Sequence, residues 1–565
     1  MHTGFRRGCP VVPFIVLAAA AATSIAGSQP AAAQDRDFAP VTDAMLQDPD
    51  PADWLNWRRT LDGWGYSPLD QIDRGNVHRL QLAWAWSMAA GVNQPTPLVY
   101  DGVMYLAGAA NVVQAVDAAT GDRIWEYRRD LSDMVESVLR PRSRSIAIYG
   151  DKVYLNAADA HIVALDARTG EVAWDHEVAD DALGYRYTSG PIVANGKVVA
   201  GMTGCERFKE DVCFISAHDA ETGEELWRTS TIARPGDPGG DTWGDLPLLY
   251  RAGADAWIPG SFDAGSNLTF WSTSQAKPWA SLTRGTDGDA LYSNSVLALD
   301  ADTGELSWYF QFTPAETHDL DDVFESVLID HDGRRSLFKM GKLGILWELD
   351  RDTGGFVAAH DLGYQDVLDV DARTGEVTFR PETFPVKDEL IEFCPDFLGI
   401  RNWRASAYHP ETQALYIPIH PTCVSGAFTE VDNAPGAPYY TNTGWLSRGS
   451  VVHPDADPYR GFLIAMEIGT GRILWRHSML TRPGAAALTT AGGLVVSGDT
   501  ARNVNVHDVA TGETLFHTRL PGSASGFPIT YEAGGRQYLA VPVGGDRTNA
   551  IFAFALPEAP TAGGQ

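Results

Sequence analysis

The residues of this chain best suited to do chemistry lie in three short polar segments. One runs from Thr313 to Asp322 and carries Asp319 and Asp321 two residues apart, a second contains Glu206, and a third contains Gln275. Carboxylates can act as general bases, and carboxylate and amide oxygens are the ligands that hard cations prefer. In an arbitrary protein such residues are more often solvated loop positions, so the elements that position them decide between the two interpretations.

A nine-residue pattern repeats along the chain and indicates those elements. It reads Asp-Ala-Ala-Thr-Gly-Asp-Arg-Ile-Trp from Asp117 to Trp125 and returns at Asp166 to Trp174, Asp219 to Trp227 and Asp300 to Trp308, with shorter copies that begin at Asp350, Asp371, Glu467 and Asp508. The copies follow apolar runs such as Ile162 to Leu165. Asp, Thr and Gly are residues that close a turn between two strands. The pattern therefore predicts strand, turn and strand.

This repeat predicts the fold class. A supersecondary unit that recurs every roughly 40 to 50 residues indicates a propeller, a solenoid or an array, because one small sheet cannot bury its own faces. The length of the chain favours an all-β fold, an eight-bladed β-propeller, in which the terminal tryptophans pack between neighbouring sheets. No Ser/Gly-rich or Pro-rich linker interrupts the repeat, so we expect a single domain over residues 34–565.

The first residues are typical of a secretory signal. Arg6 and Arg7 precede an apolar stretch from Val11 to Ala22, and small residues follow through Ala33. This order predicts a cleaved signal peptide over residues 1–33. The apolar stretch is shorter than the roughly 20 residues that a membrane span needs. We expect an exported protein without a membrane span, periplasmic in a bacterium.

The charge of the chain restricts its partners. The formal net charge is −30, and it becomes more negative when the two arginines of the signal are removed. So acidic a surface repels phosphate, which argues against nucleic acid and against anionic membranes. It favours basic protein partners instead.

The cysteines predict two disulfide bonds. Cys9 leaves with the signal, and Cys205, Cys213, Cys394 and Cys423 remain. An even set in an oxidising compartment is typical of disulfide pairing. The local pairing, Cys205 with Cys213 and Cys394 with Cys423, is favoured, and reduced core thiols are the alternative.

Several stretches of the sequence are similar to one known family. They are Trp54 to Leu69, Gln94 to Val99, Ala147 to Tyr154, Asn402 to Tyr408 and Gly492 to Asp499. Through them the chain resembles the pyrroloquinoline quinone (PQQ) dependent alcohol dehydrogenases of the methanol and ethanol type, across almost all of the mature chain. The resemblance implies a quinoprotein alcohol dehydrogenase-like propeller, a small alcohol substrate, PQQ and one metal ion.

The resemblance also implies a catalytic and metal-binding set. Asp319 matches the family's general base, and Lys342 stands where methanol dehydrogenases have an arginine near the reactive carbonyl. Glu206 and Asp319 match metal ligands, and Gln275 stands at the place of a ligand asparagine, although it could equally be a loop amide bonded to backbone. Asp321 matches the extra carboxylate of the lanthanide-using branch. A trivalent ion needs more negative ligand charge, and calcium is the alternative.

The same resemblance implies the residues that hold the cofactor. Trp243 corresponds to the tryptophan that stacks on the quinone, and a large ring face suits a planar cofactor. With 17 tryptophans in the chain, a packing role between sheets is the alternative for any one of them. The remaining predicted cofactor contacts are Gln94, which replaces a family glutamate, and Arg144, Thr188, Thr203, Gly204, Asn402 and Trp403.

The chain departs from the family at one place. The family usually has two adjacent cysteines that cover the cofactor, whereas this chain reads Val138 to Ser143 there. Arg140 or Arg142 could cover the cofactor or pair with its carboxylates, or both could be surface charges.

The mechanism that the resemblance implies needs a separate electron acceptor. The metal polarises a quinone carbonyl, Asp319 removes the alcohol proton, and hydride moves to the cofactor. No Cys-x-x-Cys-His sequence for a c-type haem occurs in the chain, so a separate cytochrome c is the expected acceptor, and an acidic surface would attract a basic one. The alternative function is a non-catalytic propeller scaffold that has lost the site.

Overall fold

The repeated pattern forms the turn between the third and fourth strands of successive sheets. In its first copy the Asp117 carboxylate accepts hydrogen bonds from the backbone N–H of Ala119 and Thr120 at 2.9 and 3.0 Å. Gly121 has a φ of +79°, and its N–H donates to the Asp117 carbonyl at 2.8 Å. Glycine reaches this left-handed conformation without the steric cost that a side chain adds. The sequence pattern is therefore a local solution to closing a hairpin.

The computed structural model describes residues 38–133, 135–136, 142–429, 444–545 and 548–558. The chain divides into two units, Met1–Arg36 and Asp37–Gln565. The first unit, with the predicted signal peptide, lies outside the described residues.

Most strands of the second unit belong to antiparallel sheets, which we number 1 to 8. Sheet 1 contains Gln81–Ser87, Ser523–Ala524, Ile529–Ala533, Arg536–Gly544 and Ala550–Ala555; sheet 2 contains Leu98–Tyr100, Val103–Gly108, Val112–Asp117 and Arg123–Arg128; sheet 3 contains Ala147–Tyr149, Lys152–Asn156, His161–Asp166 and Val172–Glu177; sheet 4 contains Ile192–Ala194, Lys197–Gly201, Phe214–Asp219 and Glu225–Ser230.

The remaining large sheets follow in chain order. Sheet 5 contains Ser261–Asp263, Leu268–Ser272, Ser295–Asp300 and Leu306–Gln311; sheet 6 contains Ser326–His331, Arg334–Met340, Ile345–Asp350 and Phe356–Asp361; sheet 7 contains Ala407–His409, Ala414–Ile419, Gly461–Glu467 and Ile473–Met479; sheet 8 contains Leu488–Thr490, Leu494–Gly498, Asn503–Asp508 and Thr514–Arg519, with Tyr66–Ser67 added in parallel. In sheet 1, Gln81–Ser87 pairs with Ala550–Ala555, so one sheet joins the two ends of the described chain.

Shorter elements lie outside these eight sheets. The small sheets are Val92–Asn93 with Arg142–Ser143, Leu368–Val370 with Val377–Phe379, and Leu390–Phe393 with Thr422–Phe428 and Trp445–Val452; the α-helices are Asp43–Gln47 and Ser281–Arg284; the 3₁₀ turns are Val77–Arg79, Ala109–Asn111, Asp181–Leu183, Gly240–Trp243, Leu248–Tyr250, Pro381–Thr383 and Pro454–Ala456. The prediction of an all-β fold is confirmed. Within the described ranges, no helix has the length and apolar character that crossing a membrane requires.

The tryptophan of each pattern packs on the turn of the following sheet. The indole N–H of Trp227, in sheet 4, donates to the carbonyl of Ala301 in the turn of sheet 5 at 3.1 Å. A Cβ atom added at Gly304 of that turn would lie 2.5 Å from the Trp227 ring. The same indole-to-carbonyl bond joins Trp84 to Ala118, Trp125 to Ala167, Trp174 to Ala220 and Trp475 to Val509. The regular spacing of the repeat thus serves the packing of neighbouring sheets as well as the turn.

Candidate active site

Most of the predicted site residues lie on connections at one end of the sheets. In an antiparallel four-stranded sheet, the connection between the second and third strands and the connection to the next sheet leave from the same end. Glu206, Gln275 and Lys342 lie on connections of the first kind, in sheets 4, 5 and 6, while Arg144 and Asp319 lie on connections of the second kind. The Asp-Thr-Gly turns lie at the opposite end. The topology therefore gathers residues that are far apart in the sequence.

Asp319 has the environment of a general base. Its carboxylate accepts a hydrogen bond from the side-chain amide of Gln275 at 2.6 Å, and 26% of its side chain is exposed. Burial raises the pKa of Asp319 to about 7, with Lys342 lowering it and Asp321 raising it further. A carboxylate with a pKa near neutrality and an open face can accept a proton from a bound substrate.

Lys342 holds the two aspartates in place. Its ammonium lies 2.9 Å from Oδ2 of Asp321 and 3.5 Å from Oδ1 of Asp319, and it donates to the backbone carbonyl of Asp319 at 2.6 Å. Although burial lowers the pKa of Lys342, both aspartates raise it, and the net direction is upward. The backbone N–H of Gln275 donates to Oδ1 of Asp321 at 3.2 Å. These contacts make Asp319, Asp321, Gln275 and Lys342 one cluster.

Buried contacts support the segment that carries Asp319. The carboxylate of Glu316 accepts the backbone N–H of His318. The His318 ring donates from Nε2 to the carbonyl of Thr383 at 2.7 Å and stacks on Phe379 with ring centroids 6.1 Å apart. Burial lowers the pKa of His318 to about 4, so the ring is neutral at neutral pH. Residues 368–393 therefore pack directly against the candidate catalytic segment.

Glu206 lies beside a second lysine. The ammonium of Lys277 is 3.1 Å from Oε1 of Glu206 and 2.9 Å from Oδ2 of Asp255. Although burial lowers the pKa of Lys277, Asp255 and Glu206 raise it above its ordinary value, so the side chain is a cation. Three of the four predicted metal ligands thus contact a lysine: Lys277 contacts Glu206, and Lys342 contacts the two aspartates.

Arg144 offers a buried positive group at this end of the sheets. It is 4% exposed, donates to the Thr188 carbonyl at 2.7 Å, and lies over the ring of Trp257 at 5.0 Å from the centroid. Its Nε has no hydrogen-bond partner among the described residues. Burial lowers the pKa of Arg144 to about 9, and Arg142 adds to the effect. A buried guanidinium in these surroundings fits an anionic ligand.

The next predicted contacts form the connection that leads to Glu206. The hydroxyl of Thr203 donates to the carbonyl of Arg186 at 2.6 Å. Gly204 has a φ of +83°, and a Cβ atom there would lie 2.0 Å from the Gly184 carbonyl oxygen. Only glycine fits this position, so the turn before Glu206 is sterically fixed.

The other predicted cofactor contacts differ in whether their side chains already have hydrogen-bond partners. The side-chain oxygen of Gln94 is buried and has no partner among the described residues. The side chain of Asn402 accepts the Trp403 N–H at 2.9 Å and donates to the Leu398 carbonyl at 3.0 Å, so it stabilises its own loop. The ring of Trp403 is 5.9 Å from that of Phe527. Gln94 has an unused acceptor, while Asn402 is already satisfied.

The tryptophan beside Arg144 is Trp257, whereas quinone stacking is predicted for Trp243. Trp243 is 0% exposed and donates its indole N–H to the Leu291 carbonyl at 2.6 Å. The ring beside Arg144 belongs to Trp257, which also meets Phe324 edge-on at 5.3 Å. Sequence reasoning missed Trp257, Asp255 and Lys277. The one available signal was that Lys277 lies two residues after Gln275.

Both predicted disulfides are present. Cys205 pairs with Cys213 and Cys394 pairs with Cys423, with Cα atoms 5.2 and 4.2 Å apart, which confirms the local pairing. The first bond fixes the connection that carries Glu206. Of the two arginines predicted as a possible lid, Arg142 is exposed at the start of a short strand, and Arg140 lies outside the described residues.

Comparison with known proteins identifies the family. Residues 54–361 and 358–539 match the PQQ family, described as the β-propeller domain of glucose, ethanol and alcohol dehydrogenases. The chain belongs to the quinoprotein alcohol dehydrogenases. It is therefore an enzyme of the PQQ-dependent alcohol dehydrogenase family with a β-propeller domain, and the alternative of a non-catalytic scaffold is not supported.

Individual relatives agree with this assignment. The chain is 31% identical to quinoprotein alcohol dehydrogenase PedH of Pseudomonas putida over 88% of this chain and 87% of the relative. It is 31% identical to quinohemoprotein alcohol dehydrogenase ADH-IIG of Pseudomonas putida over 98% of this chain and 80% of the relative. The solved structure of quinohemoprotein alcohol dehydrogenase ADHIIG from Pseudomonas putida matches with a TM-score of 0.84 and 27% identity, covering 93% of this chain and 84% of that one.

The residues at the site fit PQQ and a hard cation. Arg144 has a buried unpaired Nε, and the side-chain oxygens of Gln94 and Gln275 are buried without partners among the described residues. A buried polar atom is costly unless a partner satisfies it. An anionic cofactor can satisfy the donor of Arg144, and a cation can satisfy the oxygen of Gln275 beside Asp319 and Asp321.

Proposed function

We propose that this protein is a periplasmic enzyme that oxidises a primary alcohol to the aldehyde. It would use PQQ and one metal ion, a lanthanide or calcium, and pass electrons to a cytochrome c. The observation that carries the proposal is the cluster of Asp319, Gln275, Asp321 and Lys342, in which a carboxylate with a pKa of about 7 stands partly open beside a fixed ammonium.

Asp319 would take the proton of the substrate hydroxyl. The hydrogen bond from the Gln275 side-chain amide at 2.6 Å and the contacts of Lys342 orient the Asp319 carboxylate before substrate arrives. Little reorganisation is therefore needed at the moment of proton transfer. When bound, PQQ supplies the quinone that accepts the hydride, and a hard cation beside it supplies Lewis acidity.

The proposed metal ligands are Glu206, Gln275, Asp319 and Asp321. The proposed cofactor contacts are Arg144 and Gln94, with the ring of Trp257 as the flat apolar surface in place of Trp243. The support for Trp257 is its position against the buried Arg144 guanidinium. A ring with one face toward a buried cation suits a planar anionic ligand.

The proposal also covers the electron acceptor, the cellular compartment and the number of propeller blades. A formal charge of −30 favours a basic cytochrome c, and the residue order before Gln34 favours export. We propose that sheets 1 to 8 are the eight blades of the propeller. Their support is the repeat itself and the Trp-to-carbonyl hydrogen bond that joins sheet 1 to 2, 2 to 3, 3 to 4, 4 to 5 and 7 to 8.

Dye-linked alcohol oxidation by the purified protein tests this function. The protein is reconstituted with PQQ and either calcium or a light lanthanide, with Asp321→Ala assayed in parallel. Activity with the lanthanide alone, abolished in the variant, is the expected result. Activity with calcium that survives the substitution would keep the enzyme and remove Asp321 from the metal site. Protein that binds PQQ but oxidises no primary alcohol would overturn the proposed reaction.

A further inference from the structure

A lysine ammonium lies beside Glu206, one of the proposed metal ligands. Lys277 is 3.1 Å from Oε1 of Glu206 and 2.9 Å from Oδ2 of Asp255. The side chains of these three residues are 20%, 16% and 5% exposed respectively. An ion pair so shielded is screened little by salt and interacts more strongly than one on the surface.

Backbone hydrogen bonds fix the position of Asp255. Its Oδ1 accepts the N–H of Gly204 at 2.9 Å and of Cys205 at 3.3 Å, which leaves Oδ2 directed at Lys277. Its own N–H donates to the hydroxyl of Ser274 at 3.0 Å. The carboxylate therefore cannot turn away from the ammonium without losing two N–H bonds.

The segments around Lys277 are held just as firmly. The N–H of Lys277 donates to the Ala252 carbonyl and that of Gly253 to the Cys205 carbonyl, both at 2.8 Å. The disulfide of Cys205 with Cys213 anchors the Glu206 connection. Three segments of different connections thus bring Glu206, Asp255 and Lys277 together through backbone contacts that do not depend on the three charges.

We propose that Lys277 is an internal cation that competes with the metal ion for Glu206, and that Asp255 retains the ammonium when the metal binds. This rests on the proposed metal site at Glu206, Gln275, Asp319 and Asp321. Without metal, Lys277 neutralises Glu206. When a metal takes Glu206, the ammonium keeps Asp255, its nearer partner, and remains beside the ion as a fixed positive charge.

The proposal has two electrostatic consequences. A fixed ammonium repels an incoming cation in proportion to the charge of that cation, so it opposes a trivalent ion more than a divalent one. Removing the negative charge of Asp255 leaves the ammonium with Glu206 alone, so competition with the metal increases. Lys277→Met and Asp255→Asn must therefore shift metal affinity in opposite directions.

Calorimetric titration of the purified, metal-stripped, PQQ-loaded protein with terbium and with calcium tests the proposal. Lys277→Met should tighten terbium binding at least about tenfold, with a smaller gain for calcium, while Lys277→Arg keeps the charge and should stay near wild type. Asp255→Asn should weaken binding, and this loss should disappear in the Lys277→Met background. Lys152→Met is the matched control, because Lys152 also lies between two carboxylates, Asp151 and Glu221, but in sheet 3.

Each other outcome has a definite meaning. Terbium binding that does not weaken in Glu206→Gln would overturn the metal site and the role of Lys277 with it. Binding that depends on Glu206 but is unchanged or weaker in Lys277→Met would overturn the competition alone. An Asp255→Asn loss that persists in the double variant would show that Asp255 attracts the metal directly. Melting curves without metal show whether each variant is folded.

Discussion

Asp319 combines a left-handed backbone conformation with a pKa that burial raises to about 7. Its φ is +62°, a left-handed conformation that few residues other than glycine adopt, and it follows the segment that Glu316 and His318 hold in place. Such conformations persist where surrounding contacts impose them. Here they direct the carboxylate at Gln275 and Lys342. The proposed general base is thus positioned by contacts made on both sides of it.

Replacing the proposed base should slow turnover strongly without unfolding the protein. Asp319→Asn keeps the size and can keep the Gln275 contact, but an amide cannot accept the substrate proton. We expect kcat to fall by about 10²- to 10⁴-fold while PQQ remains bound, measured by dye-linked assay and by cofactor absorbance. Asp332→Asn, at an exposed turn whose side chain is 79% accessible, is the control. A kcat within threefold of wild type would remove Asp319 from the base role.

Each Asp-Thr-Gly turn and the tryptophan of the preceding sheet that lies against it form one packing unit. Gly304 has a φ of +74° and would place a Cβ atom 2.5 Å from the ring of Trp227. Gly333 has nearly the same φ, +75°, but no atom lies within 4 Å of its virtual Cβ. The two glycines therefore separate the conformational reason for glycine from the packing reason.

This difference gives a prediction for stability. Gly333→Ala should cost about 1 kcal/mol for the left-handed conformation alone. Gly304→Ala should cost about 2 to 4 kcal/mol, because the methyl group also displaces the Trp227 ring. Chemical denaturation followed by tryptophan fluorescence measures both. Equal losses in the two variants would show that the indole does not need the glycine surface.

The packing of residues 368–393 on the candidate catalytic segment should depend on pH. Burial depresses the pKa of His318 to about 4, below the unfolded value of about 6.5. A depressed pKa contributes stability that is present above pH 6.5 and is lost as pH falls through 4. At pH 5 the loss is about 2 kcal/mol.

A substitution isolates this contribution. His318→Gln can keep a donor for the Thr383 carbonyl and does not titrate. Between pH 7.5 and pH 5 the melting temperature of the variant should fall less than that of wild type. Identical pH slopes for the two proteins would show that His318 is not neutral and buried in the folded state. His161→Gln is a control, since that histidine already pairs with Asp175 at 2.7 Å at the surface.

For the whole molecule, the net charge of −30 governs encounters more than stability. Electrostatic attraction between oppositely charged proteins accelerates association and weakens as salt screens it over about 10 Å at 0.1 M. The charge therefore bears on the proposed electron transfer to a basic cytochrome c and not on the proposed proton transfer to Asp319.

Salt should consequently slow the reduction of a basic cytochrome and leave turnover with a neutral dye largely unchanged. The rate of reduction of a basic c-type cytochrome should fall several-fold between about 20 and 200 mM salt, while turnover with a neutral dye changes little. Stopped-flow measurement of cytochrome reduction provides the rate. A rate independent of salt, or one that rises with it, would exclude steering by the acidic surface.

The sequence predicts a structural feature best when the interactions that produce it join residues close together in the chain. The turn from Asp117 to Gly121 follows from side chains that bond their own backbone, and Cys205 and Cys213 are eight residues apart, so the repeat and the pairing could be read directly. The resemblance supplied Asp319, Asp321, Gln275 and Lys342, which the structure gathers into one cluster. It did not indicate which tryptophan meets Arg144.

The sequence by itself determined the strand-and-turn repeat, the all-β class and the family, and it favoured the disulfide pairs that the structure contains. Only the tertiary structure placed Trp257 against Arg144 and Lys277 between Glu206 and Asp255. The physical reason is that these contacts join connections from different sheets. Their geometry depends on how neighbouring sheets pack and on backbone bonds between distant segments, and neither is encoded in any short stretch of residues.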